Sequence, residues 1–367
     1  MKMKRIISLL IVLMLLLTAC NSNKLTMYRE TTFDVGFSTP FTLMLYTESE
    51  EEFLEHFENM KEQVRFYNDH FDTFKDYEGV NNLKTVNDNA GIKPVKVDPV
   101  VIELLEEAQS WAVKTDLLFD PTLGSVLEIW HEYRERGIEL NREGKFGPSP
   151  SLEELEEANK SIGWEFVEID KEASTVYITN KETSIDIGAI AKGWAVEKVA
   201  QKLEADGIEH GIVNGGGNVR LIGSKLGDNW SVGITNPDGI QEDSLLSVVF
   251  DQDMSVVTSG DYERYFIDDQ GRHQNHLVNP KTLQPAVYSR SVTITVKDSG
   301  MADVLSTVFS MVELKDAEAL MKKLDIPDLG LVFIKDKIEA DDYGFNHLEK
   351  DGKHIYYNDV IKDHLKK

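Results

Sequence analysis

The sequence predicts an α+β fold of mixed, largely antiparallel sheets with flanking helices, and three observations predict it. Strand-like runs occur near both ends of the chain and in its middle, several joined by Gly- or Pro-marked turns that read as hairpins. Helical stretches, with apolar residues every three or four positions, fall between them without the regular alternation that a doubly wound parallel sheet needs. No internal repeat and no low-complexity segment interrupts this order.

Residues 1–19 read as a secretion signal. Lys2, Lys4 and Arg5 precede the apolar run 6–17, which is short for a bilayer span. The run ends in Leu17-Thr18-Ala19-Cys20, the small-residue pattern before a lipid-modified cysteine; an ordinary signal with a chance cysteine is the alternative. Lipidation of Cys20 would make the mature protein extracytoplasmic, anchored to a bacterial cell membrane without spanning it. Cys20 is the only cysteine, so no disulfide forms within the chain.

Residues 20–30 read as a polar tether and 31–362 as one domain. Residues 33–47 read as strand, turn and strand, with Gly36 and Pro40 as punctuation. Residues 50–66 are helical, because Phe53, Phe57, Met60 and Val64 recur at spacings of three and four. The same pattern predicts helices over 99–114 and 124–135. Residues 137–151, rich in Gly, Pro and polar side chains, predict a loop or a domain seam. Ser151-Leu-Glu-Glu then starts a capped helix. Strands follow near 165–179, 246–250, 292–296 and 331–334, with two helices within 301–325.

The net charge is −25, and removing residues 1–19 takes away only positive charges. So acidic a surface excludes nucleic acid, whose phosphate backbone needs clustered Lys and Arg. An anionic small molecule would need local donors or a divalent cation.

Four segments carry candidate chemistry. In Asp186-Ile-Gly-Ala-Ile-Ala-Lys-Gly193, a carboxylate, close-approach glycines and an ammonium sit at a helix start, where free N–H groups attract anions. A helix capped by Asp186, with Lys192 solvated, is the plainer reading. Val213-Asn-Gly-Gly-Gly-Asn-Val219 lets the backbone approach a ligand, or forms a tight hairpin; the strand after it rules out a dinucleotide fingerprint. Thr258-Ser259-Gly260 offers hydroxyls, and His276 before a Pro-fixed turn could accept a proton. On a helix, Asp303 shares a face with Ser306 and Thr307, the oxygen set that Mg²⁺ prefers. No Cys or His spacing suggests zinc.

In this order, DIGAIAKG, NGGGN, TSGDYERYF, HLVNP and ADVLST, with FDPTLG at 119–124 and Trp130 upstream, resemble the ApbE family. These flavin transferases move FMN from FAD onto a protein. The resemblance runs from about residue 30 to about 360 and implies the ApbE-like fold.

Residue by residue, the resemblance implies that Asp186 and Lys192 contact FAD and that the Ala189 carbonyl, Asp303, Ser306 and Thr307 hold Mg²⁺. It further implies that Leu118, Phe119, Asp120 and Leu277 lie along the flavin, and that His276 is a base, with Asp186 the other candidate. Asn214, Gly216, Gly217, Thr258, Ser259 and Gly260 complete the expected nucleotide groove. Several positions depart from the family's pattern: Asn275 stands for a usual His, Asn279 for Asp and Leu283 for Gly, while Phe37-Ser-Thr39 resembles the family's Met-Gly-Thr only loosely and Phe74 lies near a common Tyr position. The implied reaction is Mg²⁺-dependent transfer of FMN from FAD to a Thr or Ser of an exported flavoprotein, releasing AMP. FAD hydrolysis to FMN and AMP, or FAD binding without catalysis, are the alternatives.

Overall fold

The computed structural model describes residues 24–239 and 244–366. The expected signal and Cys20 lie outside the described residues. Among the described residues, no helix is long and apolar enough to cross a membrane.

A nine-stranded antiparallel sheet organises the chain. Its strands are β1 (Thr26–Thr32), β2 (Phe41–Thr47), β3 (Gly211–Gly215), β4 (Asn218–Ile222), β5 (Met254–Gly260), β6 (Ser291–Val296), β7 (Gly330–Lys335), β8 (Asn346–Lys350) and β9 (Lys353–Tyr357). They lie side by side in chain order except at the end, where β9 pairs with β7 and leaves β8 at the edge. Among the described residues the α-helices are α1 (Glu50–Phe71), α2 (Leu83–Asp88), α3 (Pro99–Lys114), α4 (Gly124–Arg142), α5 (Leu152–Asn159), α6 (Ala191–Ala205), α7 (Ser299–Ser310) and α8 (Leu314–Leu324). The expected α+β class, mostly antiparallel, is what the chain forms.

The central strands are covered on both faces, so their alternation is apolar against apolar. In β7, Leu331 and Phe333 pack toward α3, α6 and α7, while Val332 and Ile334 face the other way. There they meet a three-stranded sheet formed by 230–235, 244–250 and 365–366. Two-sided burial of this kind gives continuous apolar runs, and every residue of β6 and β7 is buried.

Several boundaries differ from expectation. Of the stretch read as tether, Thr26–Glu30 belong to β1, seven residues paired with β2. Residues 33–40 form the turn, with Phe37 and Ser38 at positive φ. The expected loop beginning at 137 is instead the last turns of α4, which runs to Arg142. Gly137 survives inside that helix because the Phe266 ring lies where a side chain would stand: an added Cβ would come 2.4 Å from it. That packing offsets glycine's poor helix propensity.

Candidate active site

The segment preceding α6 is shaped by its own backbone. Asp186 donates its N–H to the Pro121 carbonyl at 2.8 Å and accepts the Gly188 N–H at 2.7 Å. It therefore caps a local turn, not the helix. The helix begins later than the sequence implied, at Ala191, and Ile190 at its N-cap supplies no side-chain acceptor. The first turn of α6 is satisfied from elsewhere, because the Gly193 N–H donates to Asp303 Oδ2 of α7 at 2.8 Å.

That bond has a consequence for Ala189. In a regular helix the N–H of residue 193 would take the carbonyl of residue 189. Here it is diverted, and no described donor reaches the Ala189 carbonyl. Only glycine permits the approach, since a Cβ on Gly193 would lie 2.3 Å from the Ser299 carbonyl and 2.5 Å from Asp303 Cβ. The same Cβ would lie 2.9 Å from the Asn218 amide nitrogen, which is buried without a partner.

On α7, Asp303 and Thr307 are one turn apart and nearly buried, 6% and 8% exposed. Among the described residues the Thr307 hydroxyl has no hydrogen-bond partner. Ser306 is differently employed: its hydroxyl bonds the Asp303 carbonyl at 2.9 Å and meets the Ser259 hydroxyl at 2.7 Å. Among the described residues, no group of three or more His, Cys, Asp and Glu side chains is placed to hold a metal ion. One carboxylate, a freed carbonyl and a free hydroxyl fit a hard cation of the Mg²⁺ kind, which takes few protein ligands and keeps waters.

The glycine-rich turn joins β3 and β4 beside this point. Asn214 Oδ1 accepts the Gly217 N–H at 3.0 Å, and Lys192 Nζ reaches the Gly216 carbonyl at 3.5 Å. Gly216 has φ 56°, and a Cβ there would overlap the Thr39 hydroxyl. Thr258 spends its hydroxyl across the ladder on Thr293, at 2.8 Å. Gly260 ends β5 as a buried residue.

His276 has its Nδ1 enclosed without a partner. Burial first, then the neighbouring charges of Arg264, Arg134 and Lys192, push its pKa down to about 3. Glu263 faces Lys192 and Arg264 from the same side. Burial raises its pKa, and nearby Asp303 adds to the rise. The site thus sets the charges of Lys192, Arg134 and Arg264 around a neutral imidazole, next to an oxygen-rich cation position.

Leu118, Phe119 and Asp120 lie deeper than a flavin-lining segment would suggest. Leu118 and Phe119 belong to the main core. Asp120 accepts the Thr122 N–H and hydroxyl at 3.0 and 2.7 Å, and burial raises its pKa. Leu277 is likewise 7% exposed. Sequence reading passed over Arg134 and Asn218. A lone arginine one turn after Trp130, on the apolar face of α4, was the available signal for the first.

A sequence profile of the ApbE family matches residues 37–329. The chain belongs to the ApbE family. It is similar to the FAD:protein FMN transferase of Treponema pallidum, 32% identical over 273 residues, which are 70% of this chain and 72% of that one. It is similar also to the FAD:protein FMN transferase of Vibrio cholerae, at 30% over 270 residues, 71% and 75% of the two chains. Among solved structures, the ApbE protein of Thermotoga maritima superposes with TM-score 0.74 and 29% identity, over 93% of this chain and 100% of that one.

Within the ApbE family, the departures of this chain keep the turn after His276 intact. Asn275 Oδ1 accepts the Leu277 N–H at 2.8 Å, and its amide donates to the Ala286 carbonyl at 2.7 Å. Asn279 accepts the Lys281 N–H at 2.8 Å, as an aspartate would, but also donates to the Met311 carbonyl at 3.0 Å. A carboxylate cannot make that second bond. Leu283 takes φ 58°, and its carbonyl receives the Trp130 indole N–H at 2.9 Å.

Proposed function

We propose that the protein is an FAD:protein FMN transferase, using Mg²⁺ and a Thr or Ser hydroxyl of an exported acceptor protein. The observation that carries this reading is the α6–α7 junction. There the Gly193–Asp303 bond frees the Ala189 carbonyl beside Asp303 and Thr307, next to the cations that surround His276. The relatives named FAD:protein FMN transferase support it.

The FAD diphosphate fits between the glycine-rich turn and the start of α6, with its negative charge facing Lys192 and Arg264. The acceptor oxygen forms a bond to the FMN-side phosphorus, and the bond from that phosphorus to the bridging oxygen breaks. AMP leaves with that electron pair, and the acceptor proton passes to His276. An anion placed among these cations raises the basicity of the imidazole, which burial and the cations alone keep low. Asp186 has one carboxylate oxygen engaged by Gly188 and is the weaker candidate for the proton. Ala189, Asp303 and Thr307 would hold Mg²⁺, which when bound neutralises charge developing on the diphosphate.

Incubation with FAD, Mg²⁺ and an acceptor, read by mass spectrometry, tests the reading: the acceptor gains the mass of FMN and AMP appears. AMP release without acceptor gain would make the protein a hydrolase, and neither product would leave it a flavin-binding protein. Asp303→Asn keeps an acceptor for the Gly193 N–H but loses the charge. Activity is expected to fall about 100-fold or more, the scale of removing one preorganised charge from a transition state, with little change in melting temperature. For location, we propose attachment through a lipid on Cys20. Cys20→Ala should move the protein from the membrane to the soluble exported fraction.

A further inference from the structure

One face of α4 is fastened to the segment that carries His276. Trp130 donates its indole N–H to the Leu283 carbonyl at 2.9 Å. Gly137 lies against Phe266, and Asn141 exchanges hydrogen bonds with Ile267 at 2.6 and 2.9 Å. Residues 130, 134, 137 and 141 share that face. Arg134 stands between the fastenings and so points into the segment bounded by Phe266 and Leu283.

Arg134 is 9% exposed, and no carboxylate pairs with it among the described ion pairs. Its Nη2 donates to His131 Nδ1 at 2.9 Å, which fixes the plane of the guanidinium. A guanidinium can only donate, so His131 here is the acceptor. Arg134 Nε is buried with no partner at all. Its charge is felt at His276 and Arg264, and the carboxylates Glu135 and Asp186 act on it from nearby without pairing with it. A buried guanidinium without a counter-ion, and with an unused donor, is costly unless an anion completes it.

We propose that Arg134 is a binding residue for a phosphate oxyanion of the flavin nucleotide, on the side of the diphosphate away from the metal position. The inference rests on the reading of FAD as substrate. It adds that recognition of the phosphate is shared with α4 and not confined to α6, α7 and the glycine-rich turn. It also accounts for the length of α4, whose last turns hold Arg134 rigidly against the 266–283 segment.

Flavin fluorescence titrations with FAD, FMN and riboflavin, in EDTA so that a metal cannot supply the phosphate contact, separate the possibilities. Arg134→Gln is expected to weaken FAD and FMN about tenfold or more, the scale of one charge-assisted hydrogen bond, while riboflavin changes less than about twofold. Arg134→Lys, which keeps the charge but not the fork, should recover part of the loss. An equal loss for riboflavin, or undiminished FAD and FMN binding, would overturn the assignment. Should Arg134→Gln fail to fold, competition decides on the unaltered protein: inorganic phosphate should displace FMN but not riboflavin, and failure to displace FMN counts against the proposal. An unaltered protein that binds no FAD overturns the substrate reading as well, whereas FAD binding indifferent to Arg134 overturns this assignment alone.

Discussion

Leu283 occupies a position where the family pattern usually has glycine, and it keeps the left-handed backbone that glycine would adopt without strain. Two effects oppose each other there. Left-handed φ costs a residue with a Cβ about 1–2 kcal/mol. The leucine side chain, however, is 5% exposed and packs with Trp130, Phe266 and Val278, and deleting such a chain costs about 2–5 kcal/mol. Packing wins. Leu283→Gly is therefore expected to lose about 1–3 kcal/mol, read as a lower urea midpoint, despite relieving strain. A stability gain would mean that the 266–283 segment closes over the missing side chain. The resemblance exposes the departure at this residue, but only the cluster under α4 explains why leucine is kept.

At the scale of elements, α6 and α7 meet through Gly193 and Asp303, with Asn218 alongside, and the bonded pair is 110 residues apart in sequence. Gly193→Ala places a methyl group within 2.3 Å of the Ser299 carbonyl and 2.5 Å of Asp303 Cβ. Neither atom is the free end of a side chain, so the helices must part. Overpacking of this kind costs about 1–3 kcal/mol. Because the displaced atoms include the Asp303 carbon, transfer activity should fall further than stability alone explains. Thermal melting measured beside activity checks this; a variant that melts earlier yet keeps full activity would detach the Gly193 contact from the cation position. Helical periodicity disclosed both helices, and ADVLST and DIGAIAKG marked their functional ends. The diversion of one N–H from Ala189 to Asp303 has no sequence signal, because it depends on where the two helices cross.

For the molecule as a whole, the enclosed imidazole of His276 links stability to pH. Its pKa is lowered to about 3, chiefly by burial, and then by Arg264, Arg134 and Lys192. An unfolded histidine protonates near 6.5. Between those values the unfolded chain binds a proton that the folded chain refuses, so stability falls as pH falls. The slope for one such group reaches about 1.4 kcal/mol per pH unit. His276→Gln should flatten the decline of the urea midpoint between about pH 6.5 and pH 5 by up to that amount. Carboxyls with raised values, Asp120 and Glu263 among them, act in the opposite direction but are common to both proteins. An unchanged slope would show that His276 is hydrated in the folded state.

The sequence by itself determined the α+β class and most element positions, through apolar periodicity. It also determined the family, through five short motifs in a fixed order. Those are properties of residues near one another in the chain. Only the tertiary structure decided that Gly137 belongs to a helix, that Asp186 caps a turn and not α6, and that Ser306 is bonded to Ser259 while Thr307 stays free. It alone brought the charge of Arg134 close enough to act on His276. Each of these turns on contacts between segments far apart in the chain, where burial and close approach outweigh local propensity.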